Sequence, residues 1–432
     1  MTKLLETLKG QTYDGCAIHL KNYRLEQKCR ICSSKNLEMV LDLGKQPPAN
    51  SFIDQSDLNS MEPKFPLRLF WCHNCFLVQL LDIVDKEHLF KNYLYMTSAS
   101  RPIVEHFTKY AKEIYEEFLQ GKDDPFVIEI GSNDGSLIAE FKKLGTSILG
   151  IEPATNLANL ANQSGITTKN TFFSSKVGKE IAQSRNASVV VANNVIGHVE
   201  DLQDLMEGIR ILIGENGIFI FEVPYLVDLI KKLEFDTIYH EHLSYFSLLP
   251  IMNLTNRYGL DIFDVKKQSV HGGTIRVFIS KKNNFKAKDS VKQFLDEEHR
   301  FGLDDIKIYR SFSVKVAEFK RKLKTKLEII KKENKSIFGY GAPAKGNVLL
   351  NYCDIDTSFL DYVIDTTPLK QGKYTPGTHI PIFPPEKILD KGDGHIALLL
   401  AWNYESAILE KEKQFREKGG KFLVPIPEPR LL

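Results

Sequence analysis

Between Phe126 and Val223 the sequence sets four short apolar runs, FVIEI, SILGI, ASVVVANN and GIFIFEV, among amphipathic stretches long enough to be helices. Few folds satisfy that rhythm, because strands recurring with helices between them pair side by side into a parallel sheet covered by those helices. Ligands of such sheets lie beyond the carboxyl ends of the strands, so the polar residues that close each run are the ones to inspect. The first run passes through Gly131-Ser-Asn-Asp-Gly135 into SLIAEFKK, which reads as strand, loop and helix. Gly131 and Gly135 let the backbone turn sharply against a ligand, and the helix that follows aims free N–H groups at the loop. Glu152 stands at the tip of the second strand, where an acid accepts both ribose hydroxyls of a nucleoside. The G-x-G-x-x-G that hugs a diphosphate is absent and Asn133-Asp134 would repel one, which favours a cationic or zwitterionic nucleoside such as S-adenosylmethionine over NAD. The third run ends in Asn193 and Asn194, with His198 soon after, and the fourth ends in Glu222, followed by Pro224 and Tyr225. Asp261 to Ser280 reads as two antiparallel strands closing the sheet, with His271-Gly272-Gly273 in the connection.

Upstream lie two cysteine knuckles, Cys29-Arg-Ile-Cys32 and Cys72-His-Asn-Cys75, while the other two of the six cysteines, Cys16 and Cys353, stand alone. Paired C-x-x-C turns can surround one zinc tetrahedrally, because each turn gathers two sulfurs while its N–H groups offset their charge. Such a closed set of four thiolates has no open position for water, so its expected role is structural. His73, inside the second knuckle, reads as a bystander. A helix is expected from about Pro102 to Leu119, preceded by Tyr93, Tyr95 and a Thr97-Ser-Ala-Ser100 turn that reads equally well as aromatic packing and a helix cap.

The most unusual segment is Tyr239-His240-Glu241-His242-Leu-Ser-Tyr245. A folding core has no reason to concentrate two histidines, a glutamate and two tyrosines within seven residues. A metal site would need helical i, i+4 spacing, which is missing, and alternate residues of an extended segment would face one side. A hydrogen-bonded surface turn is one alternative; general acid/base chemistry is the reading preferred, with His exchanging protons, Glu orienting a ring and Tyr donating to a developing oxyanion. Beyond Ser280 the chain becomes charged and helical through Asn334, with a basic face read as solvated. A second strand-loop-helix follows, SIFGYGAPAKGNVLLN, and then FLDYVID ending at Asp365. Its glycines are mis-spaced for NAD, whereas Lys345 and Lys370 could meet the phosphates of a nucleotide sugar.

Taken together, CRIC and WCHNC, YLYMTSAS, EIGSNDG, ANNVIGHVEDL, YHEHLSYFS, GYGAPAKGN and KQGKYTPGT resemble the sugar C-methyltransferases of deoxysugar pathways, which act on nucleotide-linked 4-keto-6-deoxyhexoses. The resemblance covers nearly the whole chain. It implies an α/β protein of three parts: a leader and zinc-binding domain over 1–90, a class I S-adenosylmethionine-binding methyltransferase domain with a Rossmann-like sheet over 91–282, and a helical connector with a Rossmann-like nucleotide-sugar domain over 283–432. It further implies a site lined by Tyr93, His198, Tyr239, Glu241 and His242, with His242 the leading base, Tyr239 and His198 near the keto or enolate oxygen, and Glu241 orienting a partner. Gly131, Asp134, Glu152 and Asn193 would hold the cofactor, with Phe172 and Phe173 flanking adenine; Glu129 would reach the methionine amino group or simply end its strand. Zinc falls to Cys29, Cys32, Cys72 and Cys75, and the nucleotide sugar to His271, Lys345 and Lys370. Methylation at C3 through an enolate, with inversion, is the expected reaction, and a thymidine diphosphate sugar the expected partner. A sugar O-methyltransferase and a non-enzymatic zinc-ribbon adaptor are the other readings.

A net charge of +2 gives no broad pull toward nucleic acid or a membrane. No apolar run approaches about eighteen residues, and MTKLLETLKGQTYDG lacks a signal-peptide core, so a cytoplasmic protein is expected, and a monomer because the chain brings both cofactor and substrate domains.

Overall fold

In a computed structural model, which describes residues 22–85, 89 and 96–432, the apolar runs assemble one seven-stranded sheet in the order Leu260–Gln268, Thr274–Lys281, Ile218–Pro224, Val189–Asn193, Phe126–Ile130, Ser147–Ile151 and Thr168–Lys169. Five neighbouring strands run parallel, and Thr274–Lys281 is inserted antiparallel to both of its partners. This is the class I methyltransferase arrangement, within an α/β fold of three sheet-bearing parts. Val189, Val190, Val191 and Ala192 are all 0% exposed, because helices cover both faces, which is why that strand reads as an unbroken apolar run rather than an alternation. The expected Pro102–Leu119 helix spans Arg101–Ile114 and continues in a wider π turn over Tyr115–Leu119.

The cysteine knuckles sit on a four-stranded antiparallel sheet ordered Ser244–Tyr245, Val78–Leu80, Phe65–Cys72 and Leu37–Gln46. Three of these strands come from one stretch. The fourth comes from far along the chain, directly after the histidine-rich segment. Near the start of the expected leader and zinc-binding domain, Tyr23–Leu25 pairs with Asp82–Val84; residues 1–21, Cys16 among them, and Tyr93 and Tyr95 lie outside the described residues.

After the helices Asp289–Phe301 and Ile306–Lys332, a six-stranded sheet follows in the order Ile382–Phe383, Val363–Ile364, Ser336–Tyr340, His395–Leu399, Lys421–Val424 and Arg430–Leu431. All pairs are parallel except the last. Ile306–Lys332 buries Tyr309, Phe312, Val316, Phe319, Leu323, Leu327 and Ile330, a three-and-four spacing that leaves most of its lysines outward. Among the described residues no helix is long and apolar enough to cross a membrane.

Candidate functional site

The glycine loop folds around its own acids. Gly131 adopts φ +69°, and a Cβ built there would lie 2.4 Å from Val195 Cγ2, so only glycine lets the backbone pass. Glu129 turns inward and accepts the Ile138 N–H at 3.1 Å, and burial pushes its pKa well up. Glu152 accepts N–H bonds from Asn133 and Ala154, both at 2.8 Å, and burial raises its pKa as well. Asp134 takes the Ser136 hydroxyl at 2.5 Å and the Ser98 N–H at 2.9 Å, while Asn133 Oδ1 takes the Thr97 N–H at 3.1 Å, so the Thr97–Ala99 turn is pinned to the loop. Asn193 closes its strand with its amide buried beside Tyr110. Each carboxylate oxygen of Glu152 keeps a second lone pair, and the glycine cradle leaves backbone surface for a nucleoside, so these residues fit S-adenosylmethionine. Phe172 is half-buried, whereas Phe173 packs over Gly208 of the helix Leu202–Leu212. Glu222, which closes the fourth run, is occupied by Arg276 at 2.7 Å and His106 at 2.9 Å.

The segment Tyr239–His242 is a turn, not an extended stretch, so its two histidines diverge. His240 is 1% exposed and its Nε2 faces the Pro66 carbonyl at 3.1 Å, directing the ring into the zinc-binding sheet. His242 points the other way, its Nδ1 2.8 Å from the Thr237 carbonyl. A carbonyl can only accept, so Nδ1 carries a proton, and in the neutral imidazole the lone pair is on Nε2. Around it stand the Tyr239 ring at 3.9 Å and the His198 ring at 4.7 Å between centroids. Burial pulls the pKa of His198 down to about 4, against the pull of the Glu241 and Asn194 carbonyls, so this imidazole is neutral at pH 7. Glu241 is 2% exposed; burial pushes its pKa up to about 7, and its Oε1 accepts Asn50 Nδ2 at 2.7 Å. Thus the rings of His198, Tyr239 and His242 are brought together, the Glu241 carboxyl meets Asn50 and only its carbonyl lies beside His198, while Tyr93 lies outside the described residues.

The four knuckle sulfurs of Cys29, Cys32, Cys72 and Cys75 lie within 4.8 Å of one another, and all four cysteines are free of disulfides. Four converging, mostly buried thiols fit zinc. His73 bonds Glu38 at 3.2 Å instead. Arg30, between the first two cysteines, donates from Nη1 to the Leu243 carbonyl at 3.0 Å, and the Leu80 N–H meets that same carbonyl at 2.9 Å. The knuckle therefore holds the backbone next to His242.

In the third part, Lys345 is half-buried over the Trp402 ring at 4.7 Å, facing Asp236 and Glu234; desolvation lowers its pKa. Trp402 Nε1 donates to Asp236 at 2.7 Å. Lys370 donates to the Ala342 carbonyl at 2.9 Å and lies 4.0 Å from Asp365, which itself accepts the Ala342 N–H. Both lysines, expected to await phosphates, have internal partners. His271 belongs to the Val270–Gly272 turn, and its side chain lies outside the description. Asn50, Arg30, Asp236 and Asn347 escaped the sequence reading, because nothing local in PPANS, CRIC or FDTIY says which distant group each will meet.

Comparison with known proteins places these parts in order. A family profile described as "Putative zinc binding domain" matches residues 29–90, one described as "Methyltransferase domain" matches 103–265, and one described as "C-methyltransferase C-terminal domain" matches 269–427. The C-methyltransferase NovU of Streptomyces niveus is 36% identical over 410 residues, 94% of this chain and 96% of that protein. Among solved structures, the glycopeptide N-methyltransferase MtfA complexed with S-adenosylmethionine aligns over 46% of this chain and 99% of its own at 13% identity and a TM-score of 0.33. Magnesium protoporphyrin IX methyltransferase of Synechocystis PCC 6803 aligns over 42% and 82% at 13% identity and a TM-score of 0.31. Likeness at that level carries no argument about substrate.

Proposed function

The chain belongs to the S-adenosylmethionine-dependent C-methyltransferase family, and from that premise we propose that its acceptor is C3 of a 4-keto-6-deoxy sugar linked to thymidine diphosphate. Carbon becomes a nucleophile only when a proton leaves from beside a carbonyl, so the enzyme needs a base at C3 and donors at the C4 oxygen. The observation that carries this reading is the bond between His242 Nδ1 and the Thr237 carbonyl, which in the neutral imidazole puts the lone pair on Nε2. His242 Nε2 takes the C3 proton, and the electron pair moves into the C3–C4 bond and onto the keto oxygen. Tyr239 donates to that oxygen as it becomes an enolate, His198 stands near it, and Glu241 orients its partners. When bound, S-adenosylmethionine supplies a methyl group already activated on a sulfonium. The base and the methyl donor face opposite sides of C3, so the carbon is inverted.

Gly131, Asp134, Glu152, Asn193, Phe172 and Phe173 hold the cofactor in this reading, with Glu129 supporting the loop. Tyr93, His271, Lys345 and Lys370 are assigned to the acceptor; Lys370 would reach a phosphate by giving up the Ala342 carbonyl. Domain limits near residues 90 and 282, a monomeric state and a cytoplasmic location complete the proposal; the order of the matched domains supports the division into three parts. Incubation with thymidine-, cytidine- and guanosine-linked 4-keto-6-deoxy sugars tests it. The thymidine substrate should gain one methyl group at C3 by mass and proton NMR. A methyl group on oxygen, or none on any member of the panel, would overturn it.

A further inference from the structure

Glu241 is held from a part of the chain nearly two hundred residues away. The strand Leu37–Gln46 runs into Pro47-Pro48-Ala49-Asn50, and Asn50 Nδ2 reaches Glu241 Oε1 at 2.7 Å. Among the described residues this amide is the one side-chain partner of a carboxyl that is otherwise enclosed, since Oε2 is buried and has none. The loop that carries Asn50 is itself fixed. The Ala49 carbonyl accepts the buried amide of Asn347 at 2.7 Å, and Ile53 exchanges two backbone bonds with Tyr374, at 3.0 and 2.9 Å. An amide donor at that place steadies the charged carboxylate without adding a charge of its own.

We propose that Asn50 is a positioning residue for the methyl transfer: its amide holds the Glu241 carboxyl in one orientation and favours its ionised form, so the zinc-binding part of the chain supplies a member of the active site. This rests on the reading of Glu241 as an active-site group. Titratable neighbours of Glu241 are His198, beside its carbonyl, Tyr239, His240 and His242 in its own turn, Tyr245 in the strand after it, and Arg30 on the Leu243 carbonyl. Burial raises the Glu241 pKa, and of these surroundings the Asn50 amide alone opposes it.

The full chain carrying Asn50→Ala or the isosteric Asn50→Asp provides the test, read in two ways against pH. Infrared difference spectra, with Glu241→Gln as the blank, follow the protonated Glu241 carboxyl directly. Turnover of a thymidine diphosphate 4-keto-6-deoxy sugar gives kcat/KM. In Asn50→Ala the carboxyl band should titrate about one unit higher, as expected for a lost bond to a charged group, and the acid limb of kcat/KM should move with it. Asn50→Asp should shift both further, because a second carboxyl opposes ionisation. Unmoved titration in Asn50→Asp, or equal loss of kcat/KM at every pH, overturns the proposal. A shifted band with an unmoved acid limb also overturns it, and locates the failure in the role given to Glu241 rather than in the Asn50 contact.

Discussion

His240 and His242 are separated by one residue, yet one bonds a carbonyl of the zinc-binding sheet and the other keeps a lone pair beside Tyr239 and His198. The motif YHEHLSYFS stands out by composition alone; that its two histidines meet different carbonyls depends on a turn that residue types do not encode. Glu241, being buried, also ties stability to pH. Its pKa rises from the ordinary 4.5 to about 7 in the folded chain, so between those values the folded state holds a proton that the unfolded state has lost. That contribution to stability is present below the lower value and disappears as pH climbs through the window, a change on the order of 3 kcal/mol. Glu241→Gln has nothing to ionise, so its melting temperature relative to wild type should be higher at pH 8 than at pH 5. An equal difference at both pH values would mean that the Glu241 charge is not buried.

At the scale of elements, the strands that could be read from sequence were those with enough apolar residues to show a period. FVIEI, SILGI, VVVAN and IFIFEVP all stand in the sheet, and the paired knuckles bring their four sulfurs together. Two-residue strands such as Val363–Ile364 and Ser244–Tyr245 are too short for any period, and their existence is decided by a partner elsewhere. Ser244–Tyr245 matters most, because its pairing with Val78–Leu80 and the Arg30 bond to the Leu243 carbonyl make the zinc knuckle the anchor of the Tyr239–His242 turn. Arg30→Ala should therefore lower kcat by on the order of 10²-fold, the cost of misplacing a reacting group by about 1 Å, while S-adenosylmethionine affinity by calorimetry stays unchanged. Stripping the metal with a chelator should lower turnover in proportion to the zinc lost. Full turnover by metal-free protein would show that the knuckle and the turn are independent.

Across the whole molecule, the segment from Glu234 to Tyr245 is where the three parts meet. The amino-terminal part grips it through Asn50, Arg30 and Pro66, the central part supplies His198, and the carboxyl-terminal part reaches it through Lys345 and the Trp402 bond to Asp236. Asn347 of GYGAPAKGN joins the outer two parts by bonding the Ala49 carbonyl; its role was invisible to a reading that looked for phosphate contacts in that motif. Asn347→Ala should cost about 1–3 kcal/mol in denaturant unfolding, the penalty for leaving a buried acceptor unmet, and should lower kcat without weakening S-adenosylmethionine binding. Unchanged stability and kcat would show that the outer parts do not brace the site. In the proposed reaction His242 Nε2 removes the proton from C3, a step that exchange in heavy water reads out. With a thymidine diphosphate 4-keto-6-deoxy sugar, wild-type enzyme should place deuterium at C3 by proton NMR and His242→Asn should not; exchange and methyl transfer retained in His242→Asn would contradict the assignment.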